Sequence, residues 1–296
     1  MSRDIKAHLF WVTPVNEQAA GVRTAVEAFV KAIKPLEFQH AGHDYLATDL
    51  KWNASKGVLT GTVFRIRSSG LPAEIHGTQA KPLSIGPTTN LGEPMCFALQ
   101  PDPGAALIHY SHTGARHSVL PAMLSKMGYA HAMQVEPVIK TDMLQKLQSK
   151  KFFKGLEFSL TDPKGVQEIR AMGGSVGRAL GMLDDTGGVN IRVEITMGHT
   201  KGEGLVANAT KALAKGLAKI GMDAGDDSSP VRAVKVRGSE GEDAPVEELD
   251  LLNAREVIEM QVDEADRSID RSDCQKKLAK LLEDHKDTFK TQAGTP

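Results

Sequence analysis

The stretch that decides the fold class runs from Val189 to Thr196 and reads VNIRVEIT. Apolar and polar residues alternate strictly in it, which is typical of a half-buried β-strand. After a Gly-rich turn, the segment from Leu205 to Ile220 carries apolar residues at the three- and four-residue spacing of a helix. The segment Val231–Arg237, VRAVKVR, then alternates again. A strand, a helix and a strand in this order predict a mixed α+β protein.

The rest of the chain extends this pattern in both directions. Apolar alternation and turn residues predict further strands over residues 7–12, 45–52, 58–66, 95–99, 105–110, 133–140, 152–160, 246–252 and 256–262. Helical spacing predicts helices over residues 22–33, 118–127, 143–150 and 166–183. Ser272 and Gln275 form a capping box that opens a final helix. We expect mixed sheets with packed helices in two domains, 1–160 and 161–296.

Composition excludes several classes of protein. With 41% hydrophobic and 25% charged residues among 296, the chain matches an ordinary globular protein rather than a disordered or fibrous one. No apolar run approaches 18 residues, and the first residues lack the order of a signal peptide. We therefore expect a soluble cytoplasmic protein. Two cysteines, Cys96 and Cys274, are too few for a disulfide framework and are interpreted as packing thiols.

Charge is distributed unevenly along the chain although the formal net charge is −1. Residues up to Met222 contain 25 Lys+Arg against 18 Asp+Glu, and residues from Asp223 onward contain 11 against 19. Such a division indicates either a polyanion-binding body or two solvated faces of opposite sign.

Lysines recur at helical spacing in two places. Lys211, Lys215 and Lys219 share one face of the predicted helix after the VNIRVEIT strand. Lys146 and Lys150 are also four residues apart, with Lys140 before them and Lys151 and Lys154 after them. Both groups could hold phosphates, and both could equally be solubilising lysines of exposed helices.

The sequence contains few signs of catalysis. His40, His43, His109, His112 and His117 lack the spacing with acidic residues that zinc sites show, so we expect no metal and no cofactor. Neither a phosphate-binding loop nor a nucleophile elbow is present. The acidic residues near Asp162 and Asp184 are weak candidates for a metal-dependent nuclease, which stays open as an alternative.

The segment from Phe97 to Lys140, FALQPDPGAALIHYSHTGARHSVLPAMLSKMGYAHAMQVEPVIK, resembles the RexA-like phage-exclusion proteins of lambdoid phages in its order of elements. The similarity continues through the Lys-rich helix and the strands that follow it. This resemblance implies a two-domain, dimeric protein that binds DNA without strong sequence preference, acts in antiphage defence and has no catalytic activity. At the positions that are basic in that family, this sequence has Arg192, His199, Lys201, Lys211, Lys215 and Lys219.

The leading hypothesis is a homodimeric protein that binds double-stranded DNA through its phosphates. Its expected DNA-binding residues are Lys140, Lys146, Lys150, Lys151, Lys154, Arg192, His199, Lys201, Lys211, Lys215 and Lys219. Leu278 and Leu282 on the final helix are the expected dimer contacts. Besides the nuclease, an adaptor remains open whose acidic end, Glu240 to Asp273, would bind a membrane or effector protein encoded by a neighbouring gene.

Overall fold

The fold was determined as a computed structural model. It describes residues 2–14, 35–69, 71, 73–76, 79–83, 86, 89–102, 104–111, 113–128, 133–160, 191–196, 205–223, 231–265 and 268–286. Within these residues the chain forms helices and antiparallel sheets, so the expected α+β class is confirmed. The predicted helices over residues 22–33 and 166–183 lie outside the described residues.

The chain divides into two compact units, and the second is inserted into the first. Unit 1 comprises residues 1–135 and 257–296, and unit 2 comprises residues 136–256. Unit 2 thus differs from the expected domain 161–296. The difference arises because the strand over residues 152–160, which we assigned to the first domain, pairs with two later strands on either side of it. Where the chain enters and leaves unit 2, Glu256 N donates to Val138 O at 2.8 Å.

Unit 1 contains most of the described strands. They are β1 (Ser2–Pro14), β2 (Leu36–His40), β3 (His43–Asn53), β4 (Val58–Arg67), β5 (Ala73–His76), β6 (Gln79–Pro82), β7 (Leu91–Gln100), β8 (Ala105–His109) and β9 (Met133–Pro137). Its first described helix is α1 (Val119–Lys126). The hairpin predicted around the turn at residues 53–57 is confirmed as β3 and β4.

Unit 2 consists of helices on a small sheet. Its elements are α2 (Thr141–Ser149), β10 (Phe152–Leu160), β11 (Ile191–Thr196), α3 (Ala207–Asp223), β12 (Val231–Ser239), β13 (Glu247–Asp250) and a single 3-10 turn, Leu252–Ala254. The chain then returns to unit 1 as β14 (Val257–Ala265), β15 (Ser268–Ile269) and α4 (Arg271–Asp284).

In unit 1 a nine-stranded sheet has the order β15-β14-β1-β8-β7-β4-β3-β2, with β9 also paired to β1. Alternation along β1 buries Ile5, Ala7 and Leu9, as half-buried strands do. Helix α4 packs on β4, β7, β8 and β14, so its apolar side is covered by the sheet of its own unit.

The start of α4 differs from the sequence prediction. Asp270 is the N-cap, and its carboxylate accepts a hydrogen bond from Asp273 N at 3.0 Å. Ser272 is therefore already inside the helix. Gln275 does not complete a capping box, because its buried side chain donates from Nε2 to Thr62 Oγ1 at 2.8 Å. The amide of Gln275 thus binds a buried acceptor in the core and not the end of the helix.

The same buried polar cluster contains both cysteines. Cys96 on β7 and Cys274 on α4 are free and fully buried, as the sequence predicted. Cys96 Sγ lies 3.7 Å from Thr62 Oγ1, and the two thiols are hydrogen-bonded to each other. The bond to Cys96 and the burial of the thiol both raise the pKa of Cys274. Two cysteines 178 positions apart thus act as packing groups where α4 meets the sheet.

In unit 2 the sheet has the order β11-β10-β12-β13 and packs one face against α3. Phe153, Leu156, Phe158 and Val234 are buried in this core. The opposite face of the sheet is polar. It carries the side chains of Glu157, Arg192, Glu194, Lys235, Arg237 and Glu248.

Candidate functional site

The polar face of the unit 2 sheet is the first place where the structure positions a predicted DNA-binding residue. Arg192 on β11 forms an ion pair with Glu157 on β10, with 2.9 Å between Arg192 Nη2 and Glu157 Oε2. The Arg192 side chain is still 68% exposed, and an ion pair between surface groups is worth only about 0–1 kcal/mol. The carboxylate beside it weakens the prediction that Arg192 binds DNA but does not contradict it.

Two further ion pairs cross this face. Arg237 on β12 pairs with Glu194 on β11, and Lys235 pairs with Glu248 at 2.9 Å. Arg237 reaches Glu194 by passing over Gly155 on the intervening strand, where a β-carbon would lie only 3.1 Å from Arg237 Nε. Glycine at this position therefore leaves room for the guanidinium. The face is a mixed-charge ladder and lacks the excess of positive charge that a polyanion needs.

Lys150 was expected among the phosphate-binding lysines, but its side chain is only 2% exposed. Its Nζ donates a hydrogen bond to Glu247 and lies 3.7 Å from Glu240 Oε1. The hydrogen bond from Lys150, with smaller contributions from the charges of Lys150 and Lys146, lowers the pKa of Glu247. The acidic stretch after β12 thus neutralises Lys150, because a buried ammonium requires a counter-charge. Lys150 is removed from the proposed DNA surface.

The lysines of α3 have different surroundings from one another. Lys211 Nζ donates to Gln148 O, at the end of α2, at 2.8 Å and lies 5.6 Å from the ring centroid of Phe153. It therefore connects α3 to α2 while remaining half-buried. Lys215, one turn further along, is exposed. Lys219 belongs to α3, but its side chain is outside the described part of the structure.

The remaining predicted residues of this group are placed in part. Lys140, Lys146 and Lys151 are exposed, and Lys154 is half-buried. His199 and Lys201 lie outside the described residues. The structure thus brings α2 and α3 together at the Lys211–Gln148 contact and leaves Lys146 and Lys215 exposed on the two helices.

The charge division seen along the chain does not separate the two units. Unit 2 contains 17 Lys+Arg against 19 Asp+Glu, and unit 1 contains 19 against 18. The reason is that the first part of the acidic end, residues 240–256, folds into unit 2 beside the lysines, while residues 257–273 form strands and a helix start in unit 1. The acidic segment of the adaptor hypothesis is therefore divided between two folded units.

The predicted dimer contacts also require correction. Leu278 and Leu282 are both 0% exposed within the chain's own fold, where α4 packs on the unit 1 sheet. The apolar side of α4 does need a covering surface, as its sequence indicates, but strands of the same unit provide it. These two residues cannot face a second copy.

The histidines that the structure describes do not form a metal-binding cluster. His109 and His117 are buried, and His117 stacks on Phe10 with ring centroids 4.4 Å apart. Burial, with a smaller effect from Arg3, lowers the pKa of His109 to about 4. In the described part of the chain, no group of three His, Cys, Asp or Glu residues could hold a metal ion. Asp162, Asp184 and Asp185, the nuclease candidates, lie outside the described residues.

Sequence reasoning missed a cleft in unit 1. It has a volume of about 550 Å³ and lies between the β3–β4 hairpin and α4. Three lysines line it, namely Lys51, Lys56 and Lys276. The only local signal was the polar turn over residues 53–57, and the helix that completes the cleft follows more than 200 positions later. Periodicity in one segment cannot show which distant segment it will contact.

The chain matches a protein-family model but no curated protein. Within the described residues, no helix is both long and apolar enough to cross a membrane. A family described as "Family of unknown function (DUF6731)" matches residues 122–291, which include all of unit 2 together with β14, β15 and α4. Since this match covers more than half of the chain, the protein belongs to the DUF6731 family.

Proposed function

We propose that the protein binds double-stranded DNA through backbone phosphates, without sequence preference and without catalysing a reaction. The single observation that supports this best is the hydrogen bond from Lys211 Nζ to Gln148 O at 2.8 Å. It joins α2 and α3, and Lys146 and Lys215, which lie two and four residues from the joined groups, are both exposed. Neighbouring ammonium groups on one surface are the arrangement that a phosphate backbone requires.

The proposed contacts are Lys140, Lys146, Lys151 and Lys215, which are all exposed. Ammonium groups that neutralise phosphates release counterions, so the affinity decreases as salt increases. Four contacts correspond to a log–log slope of about −3.6, at roughly −0.9 per contact. Glu240 and Glu247 lie near Lys150 and reduce the local potential, which predicts modest affinity.

The biological setting of the proposal is bacterial or phage-encoded antiphage defence in the cytoplasm, with the protein acting as a homodimer. This part rests on the resemblance of residues 97–140 to RexA-like proteins and is an argument by analogy of fold. With Leu278 and Leu282 buried in their own unit, the dimer would have to use another surface. A plaque assay with and without the gene tests the defence role separately from DNA binding.

The DNA proposal is tested by electrophoretic titration of the full chain against random-sequence duplex at two salt concentrations. The variant Lys146→Glu/Lys151→Glu/Lys215→Glu should bind weakly and uniformly across sequences, and its salt slope should be smaller by about one per lysine replaced. Lys126→Glu is the matched control, because Lys126 is an exposed lysine on α1 of unit 1. Equal affinity and equal slope for wild type and the triple variant would refute the proposal.

A further inference from the structure

One wall of the cleft in unit 1 carries a lysine because β3 contains a bulge. Thr48 on β3 pairs with Thr62 on β4. Three residues further on, Lys51 pairs with Thr60, only two residues back along β4, so β3 contains one extra residue. An extra residue moves the side chains that follow it to the other face of the sheet. Lys51 therefore lies on the face of Thr62, whose hydroxyl binds Gln275 of α4.

Two features of the sequence accompany this bulge. Asp49 within it has a φ of 54°, in the left-handed region that residues with a side chain rarely adopt. Gly61 lies opposite, and a β-carbon there would approach Leu50 Cδ2 to 2.5 Å, so glycine leaves room for Leu50 to pack against the core of unit 1. The backbone thus keeps an unfavourable conformation whose result is a lysine on the side of α4. Bulges are over-represented next to active sites, where they re-aim a side chain.

Opposite charges join the hairpin to α4 at two places. Arg271 Nε on α4 lies 3.5 Å from Asp49 Oδ2 on β3. Further along the same helix, Glu283 pairs with Lys56 of the 53–57 turn. Both pairs place a carboxylate of one wall beside a cation of the other wall. The residues between them along β3 and α4 do not follow this pattern.

Between these pairs, each wall of the cleft carries a lysine, Lys51 on β3 and Lys276 on α4. Both are exposed and form no ion pair within the part of the chain that the structure describes, and no described Asp or Glu lines the cleft. The charge of Lys276 acts on Asp273, but that carboxylate accepts from Asp263 N at 2.9 Å and pairs with Lys277 at 2.8 Å. Two ammonium groups from opposite walls are therefore available to one anion.

Hydroxyl and amide groups supply the other polar part of the lining, at Asn53, Ser55, Thr60, Ser272 and Gln275. Gln275 is only 3% exposed, and its Nε2 is fixed by donating to Thr62 Oγ1 at 2.8 Å. Its Oε1 accepts no hydrogen bond from the described residues, so it can accept one from a hydroxyl group. The volume of about 550 Å³ is within the range of roughly 300–1,000 Å³ usual for ligand pockets. The lining therefore suits an anion whose body carries hydroxyl groups.

We propose that this cleft binds a sugar phosphate. Lys51 and Lys276 hold the phosphate from the two walls through charge-assisted hydrogen bonds. The sugar hydroxyls bind Thr60, Ser272 and the carbonyl oxygen of Gln275. A free phosphate would use only the lysines, and an uncharged sugar would use only the hydroxyl and amide groups. This site belongs to unit 1 and shares no residue with the DNA contacts proposed for unit 2.

The test is a calorimetric titration of the full chain at low salt with glucose 6-phosphate, ribose 5-phosphate, glucose and inorganic phosphate. Wild type should bind at least one of the two sugar phosphates about fivefold more tightly than inorganic phosphate, the effect of one added hydrogen bond. Lys51→Glu and Lys276→Glu should each weaken this binding by about tenfold or more, because each removes a charge-assisted hydrogen bond and adds a repulsive charge. Thr60→Val should weaken binding of the sugar phosphate while leaving the binding of inorganic phosphate unchanged.

The two lysine variants also report on their own folding. Each places a carboxylate on one wall opposite the remaining lysine of the other wall. Without ligand, both variants should therefore melt at the temperature of wild type or above it. A loss of binding with an unchanged melting temperature is then a loss of the site and not of the fold.

Lys280→Glu is the matched control, since Lys280 is an exposed lysine one turn further along α4 and is not part of the lining. It should bind the sugar phosphate as wild type does. The proposal would be overturned if neither sugar phosphate bound more tightly than inorganic phosphate, or if Lys276→Glu and Lys280→Glu lost affinity equally. Gel shifts with duplex DNA should be unaffected by Lys51→Glu, so the two proposals can fail separately, and a shift lost in this variant would assign the cleft to DNA phosphates instead.

Discussion

Lysines in the two units meet opposite surroundings. In unit 2, Lys150 is buried against Glu240 and Glu247, and Lys211 is bound to a backbone carbonyl. In unit 1, Lys51 and Lys276 line a cleft whose walls carry no carboxylate. Two of the lysines that are conspicuous along the sequence thus have partners, whereas Lys51 and Lys276, which follow no helical spacing, line one cleft. The partner groups, rather than the spacing of the lysines, decide which ammonium groups can bind a ligand.

The largest effect is expected for Leu278→Ala in unit 1. This variant tests whether α4 packs on the sheet of its own unit or forms an interface between two copies. Truncating a fully buried leucine leaves a cavity, so we expect the free energy of unfolding to fall by about 3 kcal/mol. Urea unfolding followed by tryptophan fluorescence measures this in unit 1, because both tryptophans, Trp11 and Trp52, belong to it.

Lys280→Glu on the exposed side of the same helix should change the unfolding free energy by less than about 0.5 kcal/mol. A Leu278→Ala protein that kept its stability but changed from dimer to monomer in light scattering would return α4 to the role of a dimer contact. In that case α4 would be an interface between copies and would no longer count as one side of the cleft in unit 1.

The second effect concerns the acid response of unit 1. Burial lowers the pKa of His109 to about 4, whereas its usual value is 6.5. Between these values the unfolded chain binds the proton and the folded chain does not, so stability decreases as the pH falls from 6.5 to 4. The contribution of His109 amounts to about 3 kcal/mol over that interval.

His109→Gln removes the titrating group, and its unfolding free energy should depend less steeply on pH than that of wild type. The measurement is urea unfolding by tryptophan fluorescence at several pH values across the interval. Parallel curves for the two proteins would show that burial of His109 does not contribute to acid sensitivity.

The smallest effect is expected for Lys150→Met. This variant tests whether a lysine that is paired with carboxylates contributes to DNA binding. Because the ammonium is buried and paired, its removal should leave the affinity for duplex DNA within about twofold of wild type. Glu240 and Glu247 are more than half exposed, so water hydrates them once the ammonium is removed and no buried charge is left unpaired. Since the unbranched methionine also fills similar space, the free energy of unfolding should change by less than about 1 kcal/mol. A gel shift beside Lys146→Glu provides the measurement, and an equal loss in both variants would place Lys150 in the binding surface.

The sequence predicted a strand or a helix correctly where the hydrophobic periodicity of one segment was sufficient to identify it. The strand at residues 191–196 and the helix that follows the Gly-rich turn were both evident from periodicity, as was the β3–β4 hairpin. The N-cap of α4 was placed two residues late, because the capping box competed with a buried hydrogen bond to Thr62. The domain division was missed, because it depends on β10 pairing with β12 rather than on composition.

By itself the sequence determined the α+β class, the alternation that buries one face of each strand, and the amphipathic character of α4. These properties depend on side chains a few positions apart, which the geometry of strands and helices fixes. Only the tertiary structure decided which charges are paired, that unit 2 is inserted into unit 1, and that Lys51 and Lys276 line one cleft. Those contacts join segments that are far apart in the chain, so the periodicity within one segment does not predict them.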